Sequence, residues 1–418
     1  MSNHIQDAAT RSGSRPHLER THQTYPHTQV GDLNLRSSQA VTVHRSQALN
    51  VFNAQTLPTD CWDSPGFADI RLTGADIVQG LTVRMSIQNT TGAAVGPIPA
   101  RLVWFLMTHI ELLCENGSTV LERIEAEHLL NAWHKLGPYA LERIRIGLQG
   151  GDETTAGFSI AAGDSTTLYI PLLETAIERL ELPIFALAAP VIVRIHWRGR
   201  QAFRGTIGTA VPAGSVDVTR FDAVAASWKL PASERQELSR RFASAGLRGP
   251  NLDLRFARCG FQRSTETLTP GVEHLVRLSA VSGLVTSIAV ALVGTDELAQ
   301  YGSATATRTF LDGVDIRDER GSSLNGQVLD VKLLAMTTEL HKAVSATASS
   351  AYFLEVPIGG LSGESSGQLH GYVPMNGYHQ LVLKTKSGGA TTAFEVVVIY
   401  RTVAVAQVNN GHIVVQHS

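Results

Sequence analysis

One short stretch of the sequence has the spacing of a catalytic serine motif. Residues 363–367 read Gly-Glu-Ser-Ser-Gly, which places Ser365 where the G-x-S-x-G pattern has its nucleophile. The motif works only at a strained turn from a strand into a helix, because that turn exposes the hydroxyl above an oxyanion hole. Gly371 and Pro374 stand where this helix would form. The sequence therefore favours a flexible Gly/Ser loop, with a hydrolase that uses Ser365 as a less favoured alternative.

Histidines are the second candidates for chemistry, because the chain has fifteen of them. His128 and His134 are six residues apart in a predicted helix, so they do not share a face as an i, i+4 pair of metal ligands would. His370 and His379 flank a turn segment that has no carboxylate at ligand spacing. These spacings are typical of ordinary polar or half-buried histidines, and the sequence predicts no metal site.

The rest of the sequence also lacks the signatures of cofactor binding. No Walker A loop, zinc-protease motif or strand-linked dinucleotide-binding motif occurs in it. The net charge is −2, and the densest basic cluster, Arg198, Arg200 and Arg204, is typical of a solvated loop after a strand. We therefore predict no catalytic residue, no cofactor and no sequence-specific nucleic-acid binding. The N-terminus has no apolar secretory core, so we expect the chain to fold in a cytoplasm.

Strand signals recur along the chain from about residue 66 onward. Residues 80–89 alternate apolar and polar side chains, and residues 101–124 read as a long strand, an Asn116-Gly117 turn and a return strand. Similar strands, separated by Asp-Gly, Asn-Gly and Gly-Gly turns, fill residues 275–416. Many short strands without alternating helices predict antiparallel sandwiches.

Helical periodicity is confined to residues 125–137 and 231–246. The second of these segments lies where one strand-rich half is followed by the other, so we interpret it as a connector. Each half has a size that suits an eight-stranded sandwich. The predicted organisation is an extended N-terminal arm at 1–60, a first sandwich at 61–230, a helical connector at 231–246 and a second sandwich at 247–418.

An apolar segment at residues 168–197 is interrupted by three prolines and by charged residues, so it cannot be a transmembrane helix. It consists of an aromatic-aliphatic-Pro-Leu strand end, a loop, a Leu-Pro segment and a further strand. The residues in those places are Tyr169, Pro171, Leu172, Leu182, Pro183, Ala186, Leu187, Val193 and Ile195. An earlier segment combines a strand, a glycine turn, an acidic-Arg pair and a short helix with a tryptophan, in which the corresponding residues are Glu122, Arg123, Leu129, Trp133 and Leu136.

These two segments, in this order and separation, resemble the double jelly-roll major capsid proteins of large eukaryotic DNA viruses and tailless icosahedral phages. The chain departs from the family pattern at Ala188, Ala189 and Pro190, where polar and aromatic residues are usual. The resemblance implies that Pro171 and Pro183 end one strand and start the next, where a missing N–H costs no sheet hydrogen bond. The apolar stripe of Leu129, Trp133 and Leu136 predicts core packing on a helix.

The resemblance implies an all-β fold of two consecutive antiparallel eight-stranded jelly rolls, with a few short helices and the N-terminal arm. It implies a structural major capsid protein without enzymatic activity, whose homotrimer presents six jelly rolls as a pseudo-hexagonal capsomer of an icosahedral virion shell. Its partners would be copies of itself, neighbouring capsomers and minor capsid or vertex proteins, with an inner membrane or lining layer left open. Synthesis would take place in the host cytoplasm. A receptor-binding or spike protein is the alternative among structural proteins.

The arm has too few large apolar side chains to fold alone, so in isolation we expect it to be disordered. Its short apolar alternations suit strands that add to the edge of another sheet. The hypothesis is therefore that the arm clasps adjacent subunits or a lining layer, through Leu33, Leu35, Val41, Val43, Leu49, Val51 and Phe52.

Overall fold

The computed structural model describes residues 46–53, 63, 65–99, 107–114, 117–134, 157–172, 184–197, 214–233, 235–236, 252–294, 310–331, 334, 353–356, 358, 372–409 and 412–417. The strands of the first half, named in chain order, are β1 (Ser46–Asn53), β2 (Gly66–Leu72), β3 (Ile77–Asn89), β4 (Val95–Pro99), β5 (Met107–Cys114), β6 (Thr119–Glu125), β7 (Gly157–Ile160), β8 (Ser165–Pro171), β9 (Val191–Trp197) and β10 (Val216–Lys229). A helix, α1 (Ala126–His134), follows β6, and a single 3-10 turn (Ile184–Ala186) precedes β9.

The first half is a jelly roll. One sheet has the order β1-β10-β3-β8 and the other the order β2-β9-β5-β6, while β4 and β7 form a small separate pair. Within these sheets β1 pairs with β10, β2 with β9, β3 with β8 and β5 with β6, and all four pairs are antiparallel. Such nested pairing is that of one long strand ribbon rolled into two facing sheets.

The second half repeats this arrangement. Its strands are β11 (Leu252–Leu268), β12 (Glu273–Arg277), β13 (Ser282–Gly294), β14 (Leu311–Arg317), β15 (Leu329–Asp330), β16 (Leu354–Val356), β17 (Val373–Asn376), β18 (Gln380–Thr385), β19 (Thr392–Asn409) and β20 (His412–His417). Again the pairing is nested: β11 pairs with β19, β12 with β18, β13 with β16 and β17, and β14 with β15. The last strand, β20, pairs with β19. The predicted fold of two consecutive antiparallel jelly rolls is confirmed.

Alternation of side chains along the strands builds the core of the first jelly roll. In β3, Leu81, Val83, Met85 and Ile87 are buried at every second position, while the residues between them are half-buried. Because side chains of a strand point alternately to its two faces, this pattern directs one face of the sheet into the sandwich. The facing sheet contributes buried residues such as Ile70, Leu112, Val193 and Ile195 to the same apolar cluster.

The sheet of β11, β13, β16, β17, β19 and β20 is here named the junction sheet, and its central strand β13 is buried on both faces. On β13, Ile288, Val290 and Leu292 belong to the core of the second jelly roll. The alternate residues Ala289 and Ala291 belong instead to the apolar cluster that fills the first jelly roll. A strand that is buried on both faces has a continuous run of apolar residues in its sequence, and residues 288–293 form such a run. The two jelly rolls therefore share a continuous apolar contact.

The structure corrects one part of the predicted arm. Residues Ser46–Asn53 are β1, and each of them pairs with a residue of β10 from Lys229 to Asp222. The backbone of Leu49, Val51 and Phe52, which the hypothesis gave as contacts to adjacent subunits or a lining layer, thus pairs within the chain's own first sheet. The physical reason is that β10 offers an unpaired edge on that side, and an eight-residue extended segment satisfies its backbone groups. The other proposed arm contacts, Leu33, Leu35, Val41 and Val43, lie outside the described residues.

Helices are few in the described ranges, and none of those helices is long and apolar enough to cross a membrane. The predicted connector, 231–246, is described only at its beginning, where the amide of Arg235 donates to the carbonyl oxygen of Pro231 at 2.9 Å, as in a first helical turn. The loop predicted to hold Ser365 and His370 lies outside the described residues.

Candidate functional site at the junction of the jelly rolls

The junction is formed by β6 and α1 of the first jelly roll and by β11 and β19 of the second. α1 begins directly after β6, and its first turn carries Glu127, whose charge suits the positive end of the helix dipole. Leu129 and Leu130 are fully buried in the apolar cluster of the first jelly roll. Polar residues of the same helix, Glu127 and His128, are also buried. Burial of polar groups is costly unless they are hydrogen-bonded, so their partners define the junction.

Arg263 of β11 connects the jelly rolls by ion pairs. Its Nη2 donates to Oε1 of Glu127 at 2.7 Å, and its Nη1 lies 3.2 Å from Oε2 of Glu395 on β19. Glu127 is almost completely buried, and the guanidinium is about one-quarter exposed. A charge-assisted hydrogen bond that is shielded from solvent is shorter and stronger than a hydrogen bond between neutral groups. The pair therefore holds α1 against the junction sheet at a fixed position.

His128 makes the second polar connection. Its Nε2 lies 3.0 Å from the backbone oxygen of Gly260, which can only accept, so Nε2 carries the proton of this hydrogen bond. Gly260 lies opposite Tyr400 in the pairing of β11 with β19. A Cβ on Gly260 would overlap the ring of Tyr400, whose hydroxyl donates to the oxygen of Ala280 at 2.6 Å. The absence of a side chain at Gly260 therefore allows the ring to lie over the backbone.

A buried charge pair completes the junction. Arg401 of β19 is 7% exposed and Glu122 of β6 is completely buried. Burial lowers the pKa of Arg401 to about 10, while the negative charge of Glu122 opposes that shift. A carboxylate and a guanidinium removed from water are tolerated because each offsets the desolvation of the other. The opposite charges come from different jelly rolls, so they attract each other across the junction.

Beside these contacts lies an open cleft of about 680 Å³. Its walls include Arg123 and Glu125 of β6, and Arg258, Tyr400 and Thr402 of the junction sheet. Arg123 and Glu125 form an ion pair with each other at 2.8 Å. His128, Cys259 and Ser282 also line the cleft.

Replacing Gly260 with Ala is expected to destabilise the protein by about 1–3 kcal/mol, because the added methyl group must displace the anchored ring of Tyr400. Urea unfolding at one fixed protein concentration measures the change. Gly92 is the matched control, since a Cβ there meets nothing within 4 Å. Equal unfolding midpoints for the Gly260→Ala variant and the wild type would show that the ring moves at no cost.

The segment with the acidic-Arg pair and the short helix, which resembles the capsid family, lies at this junction. Glu122 and Arg123 are on β6, and Leu129 and Trp133 are on α1. Glu122 and Leu129 are fully buried, whereas Arg123 is exposed. The side chain of Trp133 is not among those described, and Leu136 lies outside the described residues. The structure thus places the acidic-Arg pair and the helix next to the second jelly roll.

The residues of the 168–197 segment lie on both sheets of the first jelly roll. Pro171 is the last residue of β8, an edge strand, so its missing N–H leaves no inner ladder position unfilled. Leu172 is buried directly after it, and Tyr169 is 41% exposed. Ala186 ends the 3-10 turn, and Leu187 packs against the core to which Val193 and Ile195 of β9 belong. Leu182 and Pro183 lie outside the described residues.

Sequence reasoning did not identify Glu127, Arg263 or Arg401 as functional residues. Glu127 and Arg263 are 136 positions apart and neither belongs to a recognisable motif, so no local signal joins them. His128 was interpreted as an ordinary polar histidine, and its hydrogen bond to Gly260 agrees with that interpretation. His379 is buried in the second jelly roll, where desolvation lowers its pKa despite the charges of Asp318 and Glu319.

No protein-family model matches the sequence, and no curated protein matches it. Solved structures do resemble the fold. PBCV-1 VP54, in a crystal structure fitted into a reconstruction of the virophage Sputnik, has a TM-score of 0.63 and 14% identity, with 91% of this chain and 99% of that chain covered. The Faustovirus major capsid protein has a TM-score of 0.61 and 8% identity, with 98% of this chain and 99% of that chain covered. The STIV MCP has a TM-score of 0.51 and 12% identity, with 86% of this chain and 96% of that chain covered. The chain therefore has the fold of these viral proteins, the double jelly roll.

Proposed function

We propose that the protein is the major capsid protein of an icosahedral DNA virus and acts as a structural subunit, not as an enzyme. The observation that carries the proposal is the presence of two complete jelly rolls with the same strand order in one chain. The similar solved structures, which include a Faustovirus major capsid protein and a PBCV-1 virus capsid, support the same role.

The proposed assembly is a homotrimer. Three copies of a subunit with two similar lobes present six lobes, which approximates a hexagon and can tile a shell. Such tiling requires the two lobes to keep one relative orientation, because a hinge between them would change the outline of the tile. The hydrogen bond between Arg263 and Glu127 supports that rigidity, and the buried opposite charges of Glu122 and Arg401 attract each other across the same junction.

Exposed apolar side chains on the second jelly roll suit lateral contacts of this kind. Leu275 of the edge strand β12 is 55% exposed, and Tyr378 is 56% exposed. The guanidinium of Arg277, two residues along β12, lies 5.0 Å from the centre of the Tyr378 ring. Tyrosine and arginine are enriched at protein interfaces, where they combine apolar contact with hydrogen bonding. We propose that this part of β12 contacts another subunit in the shell.

The remaining parts of the proposal follow the resemblance. The ranges 61–230, 231–246 and 247–418 would be the first jelly roll, the connector and the second jelly roll, with β1 added to the first jelly roll. The fourteen residues of the resembling segments would act as structural residues. The protein would be made in the host cytoplasm and assembled into the virion, with minor capsid or vertex proteins and an inner membrane or lining layer as further partners.

Mass measurement and electron microscopy test the proposal together. Light scattering of the purified protein is expected to give three times the 45.0 kDa mass of the chain, and micrographs of infected material are expected to show the protein in a closed shell lattice. A stable monomer with hydrolase activity that is lost in a Ser365→Ala variant would overturn the proposal. Localisation of the protein to projections from the shell would instead identify it as a spike protein.

A further inference from the structure

The outer face of the sheet β2-β9-β5-β6 carries a compact group of His109, Glu111 and His196. His109 and Glu111 are two residues apart on β5, so both side chains point to the same face. His196 lies directly opposite His109 in the pairing of β5 with β9. One nitrogen or oxygen atom of each of the three residues lies within 4.8 Å of those of the other two. All three side chains are partly accessible from solvent.

The carboxylate of Glu111 is directed at both imidazoles. Its Oε2 lies 3.4 Å from Nε2 of His196, and its Oε1 lies 3.8 Å from Nε2 of His109. Two ligands bound at 2.0–2.2 Å to one tetrahedral ion are separated by about 3.3–3.6 Å. The observed separations are therefore close to those of a binding site, and the second is too long for a direct hydrogen bond.

A neighbouring hydroxyl sets the tautomer of His109. Oγ1 of Thr108 donates to the backbone oxygen of His196 at 3.3 Å and lies 3.2 Å from Nδ1 of His109. Because the hydroxyl proton is used on the carbonyl, the oxygen accepts from Nδ1–H, and the lone pair of the neutral ring is on Nε2. Metal-binding histidines commonly donate their other ring N–H in this way, which fixes the ring and its tautomer. Two acceptors, Nε2 and the carboxylate, then face each other, an arrangement that a cation between them stabilises.

The arginines beside Glu111 are held by other carboxylates. Glu111 lies between Arg194 of β9 and Arg123 of β6 in the pairing of the strands. Nε and Nη2 of Arg194 donate to the two oxygens of Asp69 at 2.7 and 2.9 Å. Nε of Arg123 donates to Glu125 at 2.8 Å. The charge of Glu111 also acts on Arg194, but the Glu111 carboxylate contacts the side chains of the two histidines.

From this geometry we propose that His109, Glu111 and His196 bind one divalent transition-metal ion, with Zn²⁺ the best match. Two imidazoles and one carboxylate form a donor set that zinc proteins use with water in the fourth position. Imidazole ligands favour Zn²⁺, Cu²⁺ or Ni²⁺ over Ca²⁺ and Mg²⁺, which prefer oxygen ligands. The two rings are stacked, with centroids 4.1 Å apart and planes at 17°, so the rings must rotate about their side-chain bonds to direct both Nε2 lone pairs at one ion.

The test compares metal binding by the full-length protein and its variants after treatment with a chelator. Wild-type protein is expected to bind one more Zn²⁺ per chain than the Glu111→Gln and His196→Asn variants. It is also expected to give the visible absorption of a four-coordinate site with Co²⁺. Loss of one ligand should weaken binding by at least about 100-fold, since loss of an outer partner of a ligand alone costs 10–100-fold.

His412→Ala is the matched control, because this exposed histidine lies on β20 of the other jelly roll. It should keep the additional ion and the Co²⁺ spectrum. Circular dichroism tests whether each variant is folded. Glu111→Gln keeps the shape of the side chain and serves if the histidine variant does not fold. Equal metal content and equal Co²⁺ spectra in the wild type, Glu111→Gln and His196→Asn would overturn the proposal.

Discussion

Replacing Glu122 with Leu is expected to lower the free energy of unfolding by about 3–5 kcal/mol, because a buried arginine then loses its counter-charge. Arg401 is almost completely buried, and its pKa is already lowered to about 10 by desolvation with the carboxylate present. Removal of the carboxylate leaves that cost without its main electrostatic compensation. Urea unfolding is the appropriate measurement, since guanidinium chloride would screen the charges.

A double-mutant cycle separates the charge pair from the packing around it. Arg401→Met alone should also destabilise, because it leaves Glu122 buried beside an uncharged side chain. The double variant, Glu122→Leu with Arg401→Met, should recover most of the loss, since an apolar pair needs no compensation for charge burial. If the double variant loses the sum of the two single losses, the residues act independently and do not form a pair.

Arg123→Met provides a control on the same strand. Its guanidinium is about half exposed and pairs with Glu125 at 2.8 Å. Exposed ion pairs contribute at most about 1 kcal/mol, so this variant should unfold close to the wild type. All variants need to be compared at one protein concentration, because association of subunits adds to the apparent stability.

Local sequence patterns were sufficient for the strands of the sandwiches. Alternation at residues 80–89 corresponds to β3, and the turn at Gly117 joins β5 to β6, with a backbone φ of 94° that favours glycine. The apolar run in β13 has the composition of a strand buried on both faces, which the junction sheet shows it to be. These features depend on neighbours in sequence, so one sequence can reveal them.

The junction and the metal group depend on distant residues, and the sequence could not reveal them. His109 and Glu111 have the spacing of one strand face, but their partner His196 is brought to them only by the pairing of β5 with β9. β1 was missed for a related reason. Its sequence, SQALNVFN, has a weak alternation, and it becomes a strand because β10, more than 160 residues later, pairs with it along its full length.

Deletion of residues 2–60 is expected to disrupt the first jelly roll, because it removes β1. All eight residues of β1 pair with β10, and net backbone hydrogen bonds of about 1 kcal/mol each give a loss on the order of 5 kcal/mol. The deletion also exposes β10 as an uncovered sheet edge, which promotes aggregation. Thermal unfolding and light scattering measure both effects. A soluble protein with the thermal stability of the wild type would show that β1 contributes nothing to the fold.

Deletion of residues 2–45 is the matched comparison, because it ends one residue before β1 begins. This protein should keep its unfolding temperature, and any defect it shows then belongs to the segment before the strand. If that segment clasps neighbouring subunits, the truncated protein should form trimers that assemble poorly into shells. Normal shells would contradict the clasp hypothesis. Loss of the trimer, with each chain still folded, would place the contacts of residues 2–45 within the capsomer. Contacts between capsomers are not needed for a single trimer to form.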